Sequence, residues 1–333
     1  MNRQYLGFIY HKGIAMTNKV IILGAGGRLG RAATKAFLQC GWRVTTLVRS
    51  SESTAVNSEK YNSQKNNKQL NYVNADVYNQ DSLSRAVKGH DLIINALNPL
   101  YPNWAKDVPQ LTNNVISAAL SASATIMLPG NVYNYGETIP SSVSELTPQI
   151  ASTQKGQIRI QMEQQYKLAA KHGLQTIILR AGDFIEKRQT GNWFDSHIMN
   201  RIDEKIVTYP GPLDRQHAWA YLPDLAQAMV LIAERRAQFD TFEEFGFEGF
   251  SVTGQELVHH AVNALESTLT IKKMPWAAMK FASLFSPMVR EVMEMRYLWN
   301  APHRIDGVKL SNALVGFVPK RLDQVLKLSL IHI

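Results

Sequence analysis

The chain has 333 residues, 45% of them hydrophobic and 19% charged, and carries a formal charge of +9. A chain of this length can bury a large core, which excludes a fibrous or tail-like protein, and no apolar run approaches the roughly 20 residues of a membrane span, so a soluble protein with no membrane partner is expected. The sole cysteine, Cys40, cannot form an internal disulfide, and no Cys/His cluster has metal-ligand spacing, so we expect a reducing cytoplasm and no metal.

The positive charge comes without a basic patch interleaved with aromatics and without a helix-turn-helix signature, so no nucleic-acid partner is expected. From Lys272 onward there are ten Lys/Arg against four Asp/Glu, which reads as a solvated basic surface or as a field that draws an anionic ligand. Residues 1–18 read as an extension. They lack the apolar h-region of a secretory signal, and Met16 is a candidate start.

Lys19-Val20-Ile21-Ile22-Leu23 is a short apolar strand pattern that runs straight into Gly24-Ala25-Gly26-Gly27-Arg28-Leu29-Gly30. A helix over Arg31 to Gln39 follows, closed by Gly41. Strand, glycine turn and helix make the first βα unit of a dinucleotide-binding fold, in which backbone N–H groups at the helix start meet a pyrophosphate. The glycines fit G-x-x-G-x-x-G; G-x-G-x-x-G would need glycine at Leu29.

A second strand, Arg43 to Val48, ends at Arg49-Ser50-Ser51, where an NAD-specific fold places an acidic residue for the ribose 2'-hydroxyl. A guanidinium there suits a 2'-phosphate, so Arg49 argues for NADP(H), with NAD(H) the alternative. Residues 51–71, rich in Ser, Asn, Gln and Lys, read as a mobile surface insertion. The third strand, Leu70 to Ala75, leads to Asp76-Val77, and the fourth, Asp91 to Ala96, leads to Leu97. In such sheets ligands lie outside the carboxyl ends of the strands, so Asp76 can reach an adenine and Asn95 to Leu97 can line the ribose side. Asp76 could equally cap the helix near Ser82 to Val87.

A helix from Trp104 to Ser121 precedes strand five, Thr125 to Leu128, which ends in Pro129-Gly130-Asn131-Val132-Tyr133-Asn134-Tyr135-Gly136. Its two tyrosines could each supply a phenol, or one or both could only pack, and Tyr135 is an even candidate for lining the site. The next helix, Gln154 to His172, carries Lys155, Arg159 and Glu163 on one face. That stripe either points into the cleft or forms a surface ion pair with Lys155 solvated. Strand six is Gln175 to Leu179. Beyond it Asp195, His197, His217, Trp219 and Tyr221 are pocket candidates, Leu225 to Glu234 is a helix, and Thr253 caps another over Gln255 to Leu265. Trp276 to Trp299 reads as helical core or a dimer surface.

Nearly the whole chain from Lys19 onward resembles the extended and atypical short-chain dehydrogenase/reductase superfamily, which includes NAD-dependent epimerase/dehydratase proteins acting on nucleotide sugars. The matching motifs are Gly24-x-x-Gly27-x-x-Gly30, Asp76-Val77, Asn95-Ala96, Tyr135-Gly136, Arg180-Ala181-Gly182 for the family's Arg-Pro-Gly, Tyr221-Leu222-Pro223-Asp224-Leu225-Ala226, and Ile305-Asp306-Gly307-Val308-Lys309. The resemblance implies an α/β fold with a doubly wound parallel Rossmann sheet at 19–185 and a smaller substrate lobe at 186–333 that returns segments to the sheet. It implies a nicotinamide cofactor held by Gly24, Gly26, Gly27, Arg28, Leu29, Gly30, Arg49, Asp76, Val77, Asn95, Ala96, Leu97, Lys155 and Gly182.

The family's Tyr-x-x-x-Lys pair lies on the helix after strand five, four residues before a glutamate. Counting back from Glu163 puts Arg159 at the lysine position and Lys155 at the tyrosine position, while the family's serine falls on Gly130 or Asn131. The expectation is that Lys155 donates the proton, its pKa lowered by Arg159, with Tyr135 or Asn131 holding the substrate oxygen and Arg159 the nicotinamide ribose. The implied function is an NADP-dependent oxidoreductase or epimerase-like enzyme on a small hydroxyl or carbonyl substrate, possible as a homodimer. The alternative is a non-catalytic NADP-binding redox sensor or scaffold of the NmrA-like type.

Overall fold

The structure is a computed structural model that describes residues 18–48 and 68–330. Arg49 and most of the 51–71 segment therefore lie outside the described residues, as do residues 1–17.

Seven parallel strands form the main sheet: β1 (Lys19–Leu23), β2 (Arg43–Val48), β3 (Leu70–Asn74), β4 (Leu92–Asn95), β5 (Thr125–Gly130), β7 (Thr176–Arg180) and β11 (Phe242–Gly246). Their spatial order is β11-β7-β5-β4-β1-β2-β3. Val20 to Leu23 are fully buried because both faces of this sheet are covered, which is why they form an unbroken apolar run. On one face α1 (Arg28–Gln39) packs against α5 (Leu222–Glu234). On the other lie α2 (Gln80–Val87), α3 (Trp104–Ala122) and α4 (Gln154–Ala170), packed in that sequence. The expected doubly wound α/β sheet is present.

Three differences from the expected elements have local causes. Helix α1 starts at Arg28, three residues early, because Gly27 sits in extended backbone (φ −76°, ψ 172°) and serves as N-cap. Strand β5 continues through Pro129 and Gly130. Its ladder with β4 ends at Met127, so the missing N–H of Pro129 breaks no bond on that side. Helix α2 is capped by the Asn79 side chain, which accepts from the Ser82 N–H at 2.9 Å, and not by Asp76.

The rest of the chain builds smaller layers. A three-stranded sheet joins β8 (Asp183–Ile185), β10 (Gln216–Tyr221) and β12 (Phe250–Thr253); β9 (Ile206–Tyr209) pairs with β13 (Thr270–Lys273), and β6 (Ser142–Val143) with β14 (Arg304–Ile305). Thr253 caps α6 (Gly254–Leu265) in a reciprocal box with Glu256, as its position predicts. Helices α7 (Trp276–Ala282) and α8 (Pro287–Glu294) bury no residue, so this stretch is not core, although Met295, Leu298 and Trp299 just beyond it are buried. Helices α9 (Val308–Ala313) and α10 (Leu322–Leu330) close the described chain.

Candidate functional site

The carboxyl ends of β1 and β4 meet at the glycine turn. Gly24 has φ +76°, and a Cβ there would lie 2.5 Å from the Ala96 carbonyl oxygen. At Gly30 a Cβ would meet the Gly24 carbonyl oxygen at 2.2 Å, so helix α1 can approach the strand only with glycine there. Gly26 instead faces open space. The first turn of α1 has no side-chain cap, which leaves its N–H groups free beside that space. Leu29 points into the core and offers only its backbone.

Two guanidiniums border the turn. Arg31 donates to the Gly26 carbonyl. Arg28 reaches across to the loop after β8, donating from Nε to the Thr190 carbonyl at 3.1 Å and from Nη2 to that of Gly191 at 2.7 Å. Asp76 is exposed, and its Oδ1 accepts from the Tyr78 N–H at 2.9 Å. Val77 is buried in the core, so its side chain does not line the cleft.

Asn95 ends β4 with Nδ2 donating to the Tyr166 hydroxyl at 2.9 Å and Oδ1 accepting from the Leu97 N–H at 3.3 Å. Asn95 and Leu97 line a narrow cavity with Pro99, Arg159 and Met162. Arg159 donates from Nη2 to the Pro129 carbonyl at 2.6 Å, while its Nε is buried with no hydrogen-bond partner. A guanidinium with a spare donor thus lines the cavity beside the end of β4. Ala96 donates its N–H to the Leu23 carbonyl at 3.0 Å, joining the two strand ends.

Glu163, four residues on, is buried between Arg180 (2.8 Å) and Arg159 (3.7 Å), and Arg180 also meets Glu244 at 2.6 Å. Burial penalises the Glu163 charge, but the two guanidiniums outweigh it and hold the carboxyl below the usual range. Of the two readings of this stripe, the surface ion pair is not what forms: Arg159 and Glu163 belong to an internal network, and Arg159 lines the cavity.

Several expected site residues are placed differently. Tyr135 is buried with its ring beneath the Arg180 guanidinium, in a core cluster with Val132 and Ile139, so it does not line the cleft. Lys155 is buried too, and its Nζ is held by Glu291 and Glu294 of α8 rather than solvated or turned freely into the cleft. The Asn131 side chain accepts from the Tyr133 N–H at 3.0 Å, and its carbonyl accepts from Arg180. At Gly182 a Cβ would meet the Ala218 carbonyl oxygen at 2.1 Å, so this glycine has a packing reason. Trp219 and Tyr221 are buried in the lobe, and Asp195 accepts from the N–H groups of Thr190 and Gly191.

Tyr133, the other tyrosine of this loop, pairs with Tyr101 and packs against the core beside Leu97 and Trp104. The hydroxyls of Tyr101 and Tyr133 are 2.9 Å apart, and the Lys155 Nζ lies 5.3 Å from the centre of the Tyr101 ring. Burial, with Tyr101 and Asp183 adding, pushes the Tyr133 phenol well above its ordinary range. Asp183 itself accepts from Nε2 of His217 at 2.8 Å, and His217 stacks on Trp299 with centroids 4.1 Å apart. Tyr101 was missed because its partner lies 32 residues away; its one sequence signal is an aromatic in the loop after a strand's carboxyl end. Among the described residues no group of His, Cys, Asp and Glu could hold a metal ion, and no helix is long and apolar enough to cross a membrane.

No curated protein matches the sequence significantly. Solved structures do match the fold. The dTDP-glucose 4,6-dehydratase of Bacillus anthracis, in complex with NAD, is 13% identical, with a TM-score of 0.74 over 94% of this chain and 96% of its own. The UDP-glucuronic acid 4-epimerase of Bacillus cereus, in complex with UDP-glucuronic acid and NAD, is 16% identical, with a TM-score of 0.70 over 93% and 97%. A nucleoside-diphosphate-sugar epimerase of Staphylococcus aureus is 15% identical, with a TM-score of 0.68 over 93% and 99%. A family profile described as NAD(P)H-binding matches residues 24–203, more than half of the chain, starting at the first glycine of the turn. The chain therefore belongs to the NAD(P)H-binding family, and its Rossmann fold is the one shared with these epimerase and dehydratase structures.

Proposed function

We propose that the protein is a cytoplasmic NADP-dependent oxidoreductase or epimerase-like enzyme acting on a small hydroxyl or carbonyl substrate, nucleotide-sugar-like molecules included. The observation that carries this reading is the cradle at the end of β1: an uncapped helix start beside open space at Gly26, continued by Asn95, Leu97 and the spare donor of Arg159. These residues fit a dinucleotide. The α1 N–H groups would hold its pyrophosphate, Arg49 the 2'-phosphate and Arg159 the nicotinamide ribose. When bound, the cofactor supplies hydride transfer.

In this reading Lys155 and Arg159 stand where the family has its Tyr-x-x-x-Lys pair, and the substrate oxygen is met by the phenols of Tyr101 and Tyr133. A phenol whose pKa is raised stays protonated at neutral pH and donates a hydrogen bond. One observation favours the second reading, an NADP-binding sensor or scaffold. Lys155, the residue at the tyrosine position, has its ammonium committed to Glu291 and Glu294.

The experiment is a binding titration of NADPH against NADH, repeated with Arg49→Ala. Tighter NADPH binding, weakened about tenfold or more by the substitution, supports the cofactor assignment. Failure to bind either nucleotide overturns it. Turnover of a carbonyl panel that Tyr133→Phe slows supports the enzyme, whereas tight binding without turnover supports the sensor.

A further inference from the structure

Helices α7 and α8 leave the lobe and return to it at one place. Before them, the Met274 N–H donates to the Tyr209 carbonyl at 3.0 Å and the Trp276 Nε1 to the Pro210 carbonyl at 2.7 Å. After them, Met295, Leu298 and Trp299 are buried. The Arg296 guanidinium lies 5.0 Å from the centre of the Trp276 ring, so entry and exit are tied to each other as well as to the lobe. Between these anchors neither helix buries a residue. A segment with fixed ends and no buried side chain of its own can swing on those ends at little apolar cost.

Its contact with the candidate site is a charged latch. Helix α7 packs mainly on α8, and α8 packs on the turn at Tyr101–Asn103. There Glu291 and Glu294 both take the Lys155 ammonium, and Glu294 Oε1 accepts from the Lys155 backbone N–H at 3.2 Å. That N–H stands in the first turn of α4, where the helix itself has no carbonyl to offer. The Lys155 side chain is 2% exposed and each glutamate's is 24% exposed, so the carboxylates cover the ammonium from the solvent side. The ammonium in turn lies 5.3 Å from the centre of the Tyr101 ring, whose hydroxyl meets that of Tyr133.

We propose that the α7–α8 hairpin is a lid over Lys155 and the phenols of Tyr101 and Tyr133, hinged at 275–276 and 295–296 and latched by Glu291 and Glu294. Opening carries both carboxylates away with α8 and uncovers the Lys155 ammonium and the Tyr101 ring together. The commitment of Lys155 to two glutamates then belongs to the closed state, and the lysine is released when the lid lifts to admit a substrate. That these groups meet a substrate rests on the proposed reaction; the hinge and the latch do not.

The test is hydrogen–deuterium exchange of the full chain, read peptide by peptide in the wild type, Glu291→Gln/Glu294→Gln and Lys155→Met, with NADPH binding titrated in parallel. In the wild type the amides of 276–294 should exchange through a local opening, faster than those of β1 and β4. Each variant should speed exchange at 276–294 and at 101–103 about tenfold or more, with β1 and β4 unchanged. Reductive methylation of Lys155, followed by mass spectrometry, should rise likewise in the glutamate double variant. Hairpin exchange that only matches that of β1 and β4, or that neither variant speeds, overturns the lid. Exchange raised throughout the chain makes Lys155 and its glutamates a purely structural pair and overturns it too. Failure of NADPH to bind a wild type whose hairpin opens locally strikes the cofactor reading alone.

Discussion

The two ends of the cleft are made of different materials. At the glycine turn the surface is backbone: Gly24 and Gly30 let strand and helix touch, and the groups on offer are N–H donors fixed by the fold. At the far end it is side chain. Lys155, Glu163 and Arg180 are engaged and Arg159 is engaged in part, its Nε unpartnered; much of their charge is answered by one another and by Glu244, Glu291 and Glu294. A backbone site needs the right turn and little else, whereas a site of buried charges stands only while every partner stays in place.

The sharpest way to break the second end is Glu163→Gln, which strips Arg180 and Arg159 of a shared buried carboxylate. We expect a loss of about 3–5 kcal/mol, read as a lower urea midpoint at unchanged m-value. A loss below about 0.5 kcal/mol would mean that the two guanidiniums are solvated and the contrast is false. Because the Glu163 carboxyl is held below its unfolded pKa, its contribution is present above about pH 4.3 and is lost as pH falls through the depressed folded value.

At the first end, Gly24→Ala places a methyl against the Ala96 carbonyl in left-handed backbone. About 2–4 kcal/mol should be lost, together with nucleotide affinity. Stability loss with unchanged affinity would show that the turn shapes the fold and not the ligand site.

His303 tests the lobe, where it packs edge to face on His217. Burial, with His217 beside it, lowers its pKa to about 4, and the neutral ring donates from Nδ1 to the Ala301 carbonyl at 2.8 Å. The unfolded chain takes up a proton near pH 6.5 while the folded one resists, so this stability is full above that pH and is lost as pH falls toward 4. Between pH 7.5 and pH 5 the wild type should lose about 2 kcal/mol from this residue, and His303→Phe should remove that part of the slope. Thr253→Ala sets the scale for an ordinary element end. It removes the α6 capping box at a cost of about 1 kcal/mol, leaving nucleotide binding unchanged.

The same contrast governs what could be read from the residues. The β1 run, the glycine spacing and the Thr253 cap are local signals, since strand burial, backbone approach and capping are decided within a few positions. The 24–203 family match begins on the first of those glycines. The early start of α1 was hidden because glycine at 27 and 30 lowers helix propensity, while the N-cap geometry of Gly27 overrides it. Lys155 and its glutamates are 136 and 139 residues apart, and Arg180 and Glu244 are 64 apart. No periodicity links such pairs, so Lys155 read as either solvated or catalytic. Tyr133 and Tyr135 are both aromatics two positions apart, and only the packing beneath Arg180 decides which phenol is withdrawn.

Strand β11 carries a further consequence. It lies at one edge of the main sheet beside β7, yet it follows β8, β9, β10 and α5 in the chain, and it delivers Glu244 to Arg180. On the ribosome, therefore, strands β1 to β7 emerge before the carboxylate that completes their charge network. A nascent sheet ending at β7 exposes an unpaired edge and an Arg180 whose second partner has yet to be translated. Closure waits for a parallel pairing across more than 60 residues, a slow kind of contact to form. The interior of this fold is finished from its edge inward, and late.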